Sequence, residues 1–215
     1  MKNDLTELVF ILDRSGSMHG MEKDTVGGFN AMLEKQKKLP GRALVSTVLF
    51  DQDRLVVHDR QPLDTVQPMT EADYQVGGCT ALLDAVGCGI HHIGTAHRYA
   101  RPEDVPEKTV FVIITDGMEN ASTLYSYHKV RKLLLQKQEE SGWEFLFLGA
   151  NMDAAAEAAR FGVRADRAVR YRADCAGTAL NYQAVGEAVT RIRGRETLSG
   201  SWKADIEADT RRRGR

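Results

Sequence analysis

The chain has few of the residues that brace a fold covalently. Its 215 residues include three cysteines, Cys79, Cys88 and Cys175, and none share a Cys-x-x-Cys spacing. An odd, sparse count argues against a disulfide framework and fits a reducing cytoplasm. The three thiols read as small core or surface residues. No apolar run approaches the roughly 18 residues that a membrane span needs. Charge of one sign is missing too: 29 Lys and Arg stand against 30 Asp and Glu, a net −1. That balance argues against a dedicated nucleic-acid binder. Met1-Lys2-Asn3-Asp4 leads into an apolar run with no signal-peptide cleavage pattern, so a cytoplasmic location is expected. No internal repeat is visible.

Familiar catalytic signatures are also missing. There is no Gly-x-x-x-x-Gly-Lys phosphate loop, no Gly-x-Gly-x-x-Gly fingerprint and no Gly-x-Ser-x-Gly elbow. The six histidines, His19, His58, His91, His92, His97 and His128, are scattered. His91 and His92 are adjacent on a predicted helix and point apart. His19 reads as an ordinary loop residue. No enzyme activity is expected from these absences.

What remains is an ordinary globular composition, 42% apolar and 27% charged. A chain of this size buries roughly 70% of its unfolded surface and needs no staples. Leu8-Val9-Phe10-Ile11-Leu12 fits a strand buried on both faces, and it stops at Asp13-Arg14-Ser15-Gly16-Ser17. A helix pattern spans about Met21 to Lys38, with Gly27-Gly28 predicting close packing against the sheet. Ala43 to Phe50 and Leu55 to Val57 read as an antiparallel hairpin at a sheet edge. An irregular crossing segment, Asp59 to Gly78, leads to a helix from near Thr80. Lys108 to Ile114 is the clearest buried strand and stops at Thr115-Asp116-Gly117.

A helix from Ser126 to Ser141 follows, then a strand from Trp143 to Leu148 and a short helix from Asp153 to Phe161. A strand near Ala168 to Tyr171 and a helix near Thr178 to Ile192 complete the alternation. The pattern predicts a doubly wound, mostly parallel α/β sheet with helices on both faces and one antiparallel edge strand. Residues 1–193 form the expected domain. Residues 194–215 are polar, end in an arginine run and read as a weakly ordered tail.

In an open parallel sheet, ligands bind beyond the carboxyl ends of the strands where strand order reverses. Asp13 and Asp116 sit at such ends, and Thr80 heads a helix behind two glycines. These loops would bring Asp13, Ser15, Ser17, Thr80 and Asp116 to one crevice. Oxygen donors of this kind suit a hard divalent cation. Asp51, Glu119 and Asn120 lie close in sequence but read as surface or capping residues. Asp84, one turn after Thr80, is expected to face solvent or a basic neighbour.

Taken in order, Asp13-x-Ser15-x-Ser17, Gly77-Gly78-Cys79-Thr80 and Ile114-Thr115-Asp116-Gly117 resemble the three loops of a von Willebrand factor A domain. The resemblance covers roughly residues 5 to 193 and is closest to the small, stand-alone bacterial type. It departs at Cys79, where the family usually has a third glycine; the thiol is not counted as a ligand, because magnesium does not favour sulfur. The family builds a metal-ion-dependent adhesion site (MIDAS) from these loops. Carried over, the resemblance makes Ser15 and Ser17 direct ligands and Thr80 a direct ligand in the ligand-competent state. Asp13 and Asp116 would act largely through water. It implies Mg²⁺, with Mn²⁺ or Ca²⁺ as alternatives, and a protein partner that offers an Asp or Glu. It also implies work within a multi-component assembly; the charge balance and the short apolar runs, for their part, lead us to expect no specific nucleic acid and no membrane as partners.

The physical logic agrees. Neutral hydroxyls leave much of the ion's charge unquenched, while outer carboxylates hold waters and orient the hydroxyls. Two other readings stay open. One is a scaffold with a structural metal and a partner surface elsewhere, such as the Ser126–Ser141 helix or the tail. The other is a metal-dependent hydrolase or phosphatase, disfavoured because Ser15 stands where such enzymes place a second acid.

Overall fold

The computed structural model describes residues 4–213. Six strands form one sheet in the order β3-β2-β1-β4-β5-β6. They are β1 (Thr6–Asp13), β2 (Ala43–Phe50), β3 (Arg54–Pro62), β4 (Lys108–Thr115), β5 (Glu144–Ala150) and β6 (Ala168–Tyr171). All neighbouring strands run parallel except β2 and β3. The doubly wound sheet with one antiparallel edge is therefore the architecture expected from the alternating pattern.

β1 is buried at every position, because helices cover both of its faces. Leu8, Phe10 and Leu12 join the core beneath α1 (Glu22–Lys37) and α5 (Cys175–Arg193). Val9 and Ile11 join the core beneath α2 (Leu82–Tyr99), α3 (Tyr127–Ser141) and α4 (Ala154–Phe161). β4 divides its side chains in the same way. Each buried Leu, Ile or Phe contributes about 1.5–3 kcal/mol of transfer free energy. β1 and β4 thus anchor two cores at once, and chain order reverses between them. No helix among the described residues is long and apolar enough to cross a membrane.

The local chemistry sets the helix limits. Gly142, at φ 64°, ends α3, and Gly162, at φ 88°, ends α4. Both use the left-handed conformation that glycine adopts without a Cβ penalty. Asp174 caps α5 by accepting the Gly177 N–H at 2.8 Å. That cap starts α5 three residues before the expected Thr178.

Three expectations need correction. Gly28 packs against a helix rather than the sheet: an added Cβ would lie 2.5 Å from the Tyr182 ring of α5. β3 runs on to Pro62, past the expected Val57, through a register shift on β2 around Thr47. Arg60, at φ 47°, accommodates the irregularity as its N–H donates to Ser46 Oγ at 3.0 Å.

The third correction concerns residues 194–213, which are ordered. They include a short 3₁₀ turn and α6 (Ala204–Arg213). Leu198, Trp202 and Ile206 are buried in the core. They lie four residues apart, an apolar stripe hidden in a polar composition. Around them, Trp202 Nε1 donates to the Asp166 carbonyl at 2.9 Å. Lys203 Nζ reaches the Ala168 carbonyl at 2.7 Å, and Thr210 Oγ1 reaches the Arg170 carbonyl at 3.2 Å. The segment therefore satisfies carbonyls of β6, which ends the sheet and would otherwise present an open edge.

Candidate metal centre

The crevice between β1 and β4 is built from three loops that hold one another by hydrogen bonds to their backbones. Gly77 N–H donates to the Arg14 carbonyl at 2.9 Å, and Gly16 N–H donates to the Gly78 carbonyl at 3.1 Å. These bonds join the first loop to the second. Gly78 needs its φ of 72°, and a Cβ there would meet Gln52 Oε1 at 2.1 Å. Thr80 N–H donates to Asn120 Oδ1 at 2.9 Å, and Asn120 N–H returns to the Thr80 carbonyl at 3.0 Å. This reciprocal pair joins the second loop to the third.

The five expected site residues come together. Asp13 Oδ1 accepts the Ser15 N–H at 2.7 Å, and Asp13 Oδ2 accepts Thr115 Oγ1 at 2.5 Å. The Tyr74 hydroxyl donates to the Asp13 carbonyl. Ser15 Oγ and Ser17 Oγ are 3.2 Å apart, and Ser17 Oγ donates to Asp116 Oδ1 at 2.5 Å. Gly117 locates their common focus. A Cβ added there would lie 2.9 Å from Thr80 Oγ1, 3.4 Å from Ser17 Oγ and 3.7 Å from Ser15 Oγ. Three hydroxyls from two different loops thus surround one point that no side chain fills.

Burial sets the electrostatics. Asp13, Ser15, Thr80 and Asp116 are all buried. Desolvation pushes the Asp13 carboxyl above the usual carboxylate range, against the hydrogen bonds from Thr115 and Ser15. Asp116 is also raised, first by burial and then by the nearby Asp13 charge. Two neighbouring carboxyls whose ionisation burial makes costly are suited to a cation between or beside them. Among the described residues no cluster of three or more His, Cys, Asp or Glu could hold a metal. A cation here would therefore rely on the hydroxyls as well as on the two acids. That donor set is all oxygen and fits a hard divalent ion.

Neighbouring residues take supporting places. Asp51 pairs with Arg14 at 3.2 Å and accepts the Asp53 N–H at 2.6 Å. Glu119 accepts the N–H groups of Leu83 at 2.8 Å, Ala121 at 3.0 Å and Ser122 at 2.8 Å. It caps α2 and its own loop. His19 is exposed and lies 3.3 Å from Glu22.

Asp84 departs from expectation. It does not face solvent: it is 4% exposed and accepts the N–H groups of Thr123 at 2.9 Å, Leu124 at 3.0 Å and Tyr125 at 2.8 Å. The irregular loop after Asp116 has backbone donors with no strand or helix to take them, and one carboxylate on α2 serves them. The sequence singles out this residue but does not reveal its role. An acid within Leu82-Leu83-Asp84-Ala85-Val86, an otherwise apolar helix start, was the available signal.

No family model and no curated protein matches this sequence. Solved structures do resemble it. Proximal thread matrix protein 1 from the mussel byssus superposes at a TM-score of 0.58 with 15% identity, covering 88% of this chain and 47% of that one. A von Willebrand factor type A protein from Catenulispora acidiphila gives 0.58 at 16% identity, covering 87% of this chain and 43% of that one. A variant of the PilB minor pilin from Streptococcus sanguinis gives 0.59 at 11%, covering 93% and 62%. The mussel protein has also been solved with a zinc-occupied MIDAS motif, at a TM-score of 0.56 to this chain. This chain therefore spans from 43% to 62% of the length of those structures. At such identities the likeness is one of fold, and the fold is that of a von Willebrand factor A domain.

Proposed function

Starting from that fold, we propose that this protein is a divalent-metal-dependent interaction module that binds an acidic residue of a protein partner. One observation carries the reading: the hydroxyls of Ser15, Ser17 and Thr80 converge beside Gly117 between two buried carboxylates. Ser15, Ser17 and Thr80 would hold the ion directly, with Asp13 and Asp116 holding it through water. Mg²⁺ is the proposed ion, since it keeps several waters and prefers oxygen. When bound, it supplies an unquenched positive charge that attracts a carboxylate.

The chain's own residues prepare that charge. Asp13 fixes the Ser15 backbone, and Thr115 fixes Asp13. Asn120 holds Thr80 in place from the third loop. Asp84 tethers the segment that follows Asp116. Recognition rather than catalysis is proposed, because the Ser15 and Ser17 hydroxyls hydrogen-bond to each other, and Ser17 to Asp116, rather than to a histidine. The cytoplasmic setting belongs to the same proposal.

The test is partner capture from extract with Mg²⁺, with EDTA and with Asp13→Ala. Capture should require both the metal and Asp13. Equal recovery in all three would refute a metal-bridged contact and move the partner surface elsewhere on the fold.

A further inference from the structure

At the same end of the sheet, β6 and α6 border a cavity of about 480 Å³ lined by Asn151, Arg170, Arg172, Asp174 and Arg211 among others. Its charges are unequal. Asp174 is answered by Arg213 at 2.7 Å and Arg172 at 3.5 Å. Arg172 also donates to the Arg213 carbonyl at 2.6 Å. Arg170 and Arg211 are exposed, and neither guanidinium has a hydrogen-bond or ion-pair partner among the described residues. A chain of net charge −1 thus gathers uncompensated positive charge in one concave place. Guanidinium forks of this kind match carboxylate geometry.

The cavity is joined to the metal loops. Asn151, on its wall, donates from Nδ2 to the Asp116 carbonyl at 3.4 Å. Thr115, Gly149 and Arg170 stand in register across β4, β5 and β6. Two strand spacings put Arg170 about 10 Å from Thr115 along the sheet end. An extended segment advances about 3.3 Å per residue, so residues two or three apart span about 7–10 Å before side-chain reach is added.

We propose that this cavity is a second anion site, which takes another acidic side chain of the same partner, two or three residues from the one that meets the metal. The inference rests on the metal-dependent reading for the first acid, but the arginine site itself does not need the ion. Side chains with no internal partner make Arg170→Gln/Arg211→Gln a variant that retains the fold.

The probes are two fluorescein-labelled peptides, Gly-Glu-Gly-Glu-Gly and Gly-Glu-Gly-Gln-Gly, titrated into the full chain in Mg²⁺ and in EDTA. In Mg²⁺ the parent should bind the two-acid peptide about fivefold more tightly. The double variant should lose that preference while binding the one-acid peptide as the parent does and keeping its Mg²⁺-induced thermal shift. An equal preference in parent and variant would overturn the site, as would no preference in the parent. A preference that disappears in the variant, with the one-acid peptide bound equally in Mg²⁺ and in EDTA, would keep the arginine site and refute the metal reading.

Discussion

At the β1–β4 crevice, three loops of small residues are held by backbone amides, hydroxyls and buried carboxylates. At the β6 edge, a helical cover is held by Leu198, Trp202 and Ile206, with Lys203 and Thr210 reaching exposed carbonyls. The first region gains position from directional bonds and encloses a point that Gly117 leaves open. The second gains stability from apolar area and closes a strand that would otherwise be free to pair. Directional bonds suit a site that must place oxygens, whereas apolar burial suits a cover that has only to stay in place.

The largest expected effect falls on the crevice. Asp84→Ala would leave three backbone amides without an acceptor inside the fold. Urea denaturation should show a loss of about 3–5 kcal/mol, in the range for breaking a buried charged hydrogen-bond network. A loss below about 1 kcal/mol would mean that the loop finds other acceptors. On the other side of the comparison, Trp202→Ala should cost about 3 kcal/mol. It should also leave Mg²⁺ binding intact, because the cover does not touch the hydroxyl cluster. Loss of metal binding in that variant would join the two regions into one unit.

The two regions were unequally legible in the sequence. The metal loops follow strands whose apolar runs stop at an acid, and the order of Asp13, Thr80 and Asp116 along the chain is enough to bring them together. Their support was less visible. Asp84 acts on amides about forty residues away, and no local pattern reports which backbone donors lack partners. The cover was missed for another reason. Leu198, Trp202 and Ile206 are few among many charges, so composition pointed to a solvated tail, whereas their four-residue spacing marked one buried face. The Gly27-Gly28 pair marks a close approach, but the partner of Gly28, Tyr182, lies on a helix distant in sequence.

A pH series sharpens the crevice side. Burial holds the Asp13 and Asp116 carboxyls above their ordinary value of 3.8. A group raised in the folded state contributes stability while protonated, below its unfolded pKa, and loses it as pH rises through its folded pKa. In EDTA, the parent should therefore weaken relative to Asp13→Asn/Asp116→Asn as pH climbs from about 4 toward neutrality. Saturating Mg²⁺ should flatten that difference, and a difference independent of pH would place the carboxyls in an environment more polar than the fold implies. The smallest expected change in stability is that of Gly117→Ala. Its methyl group would enter the hydroxyl focus, 2.9 Å from Thr80 Oγ1, so metal affinity should fall well before the melting temperature does.

The central claim is that the hydroxyls hold a divalent ion. Calorimetric titration of Mg²⁺ into the parent chain and into Ser15→Ala/Ser17→Ala tests it most directly, with circular dichroism confirming that both are folded. The account predicts one site per chain in the parent and none in the variant. Equal binding by the two would place the ion elsewhere and contradict it.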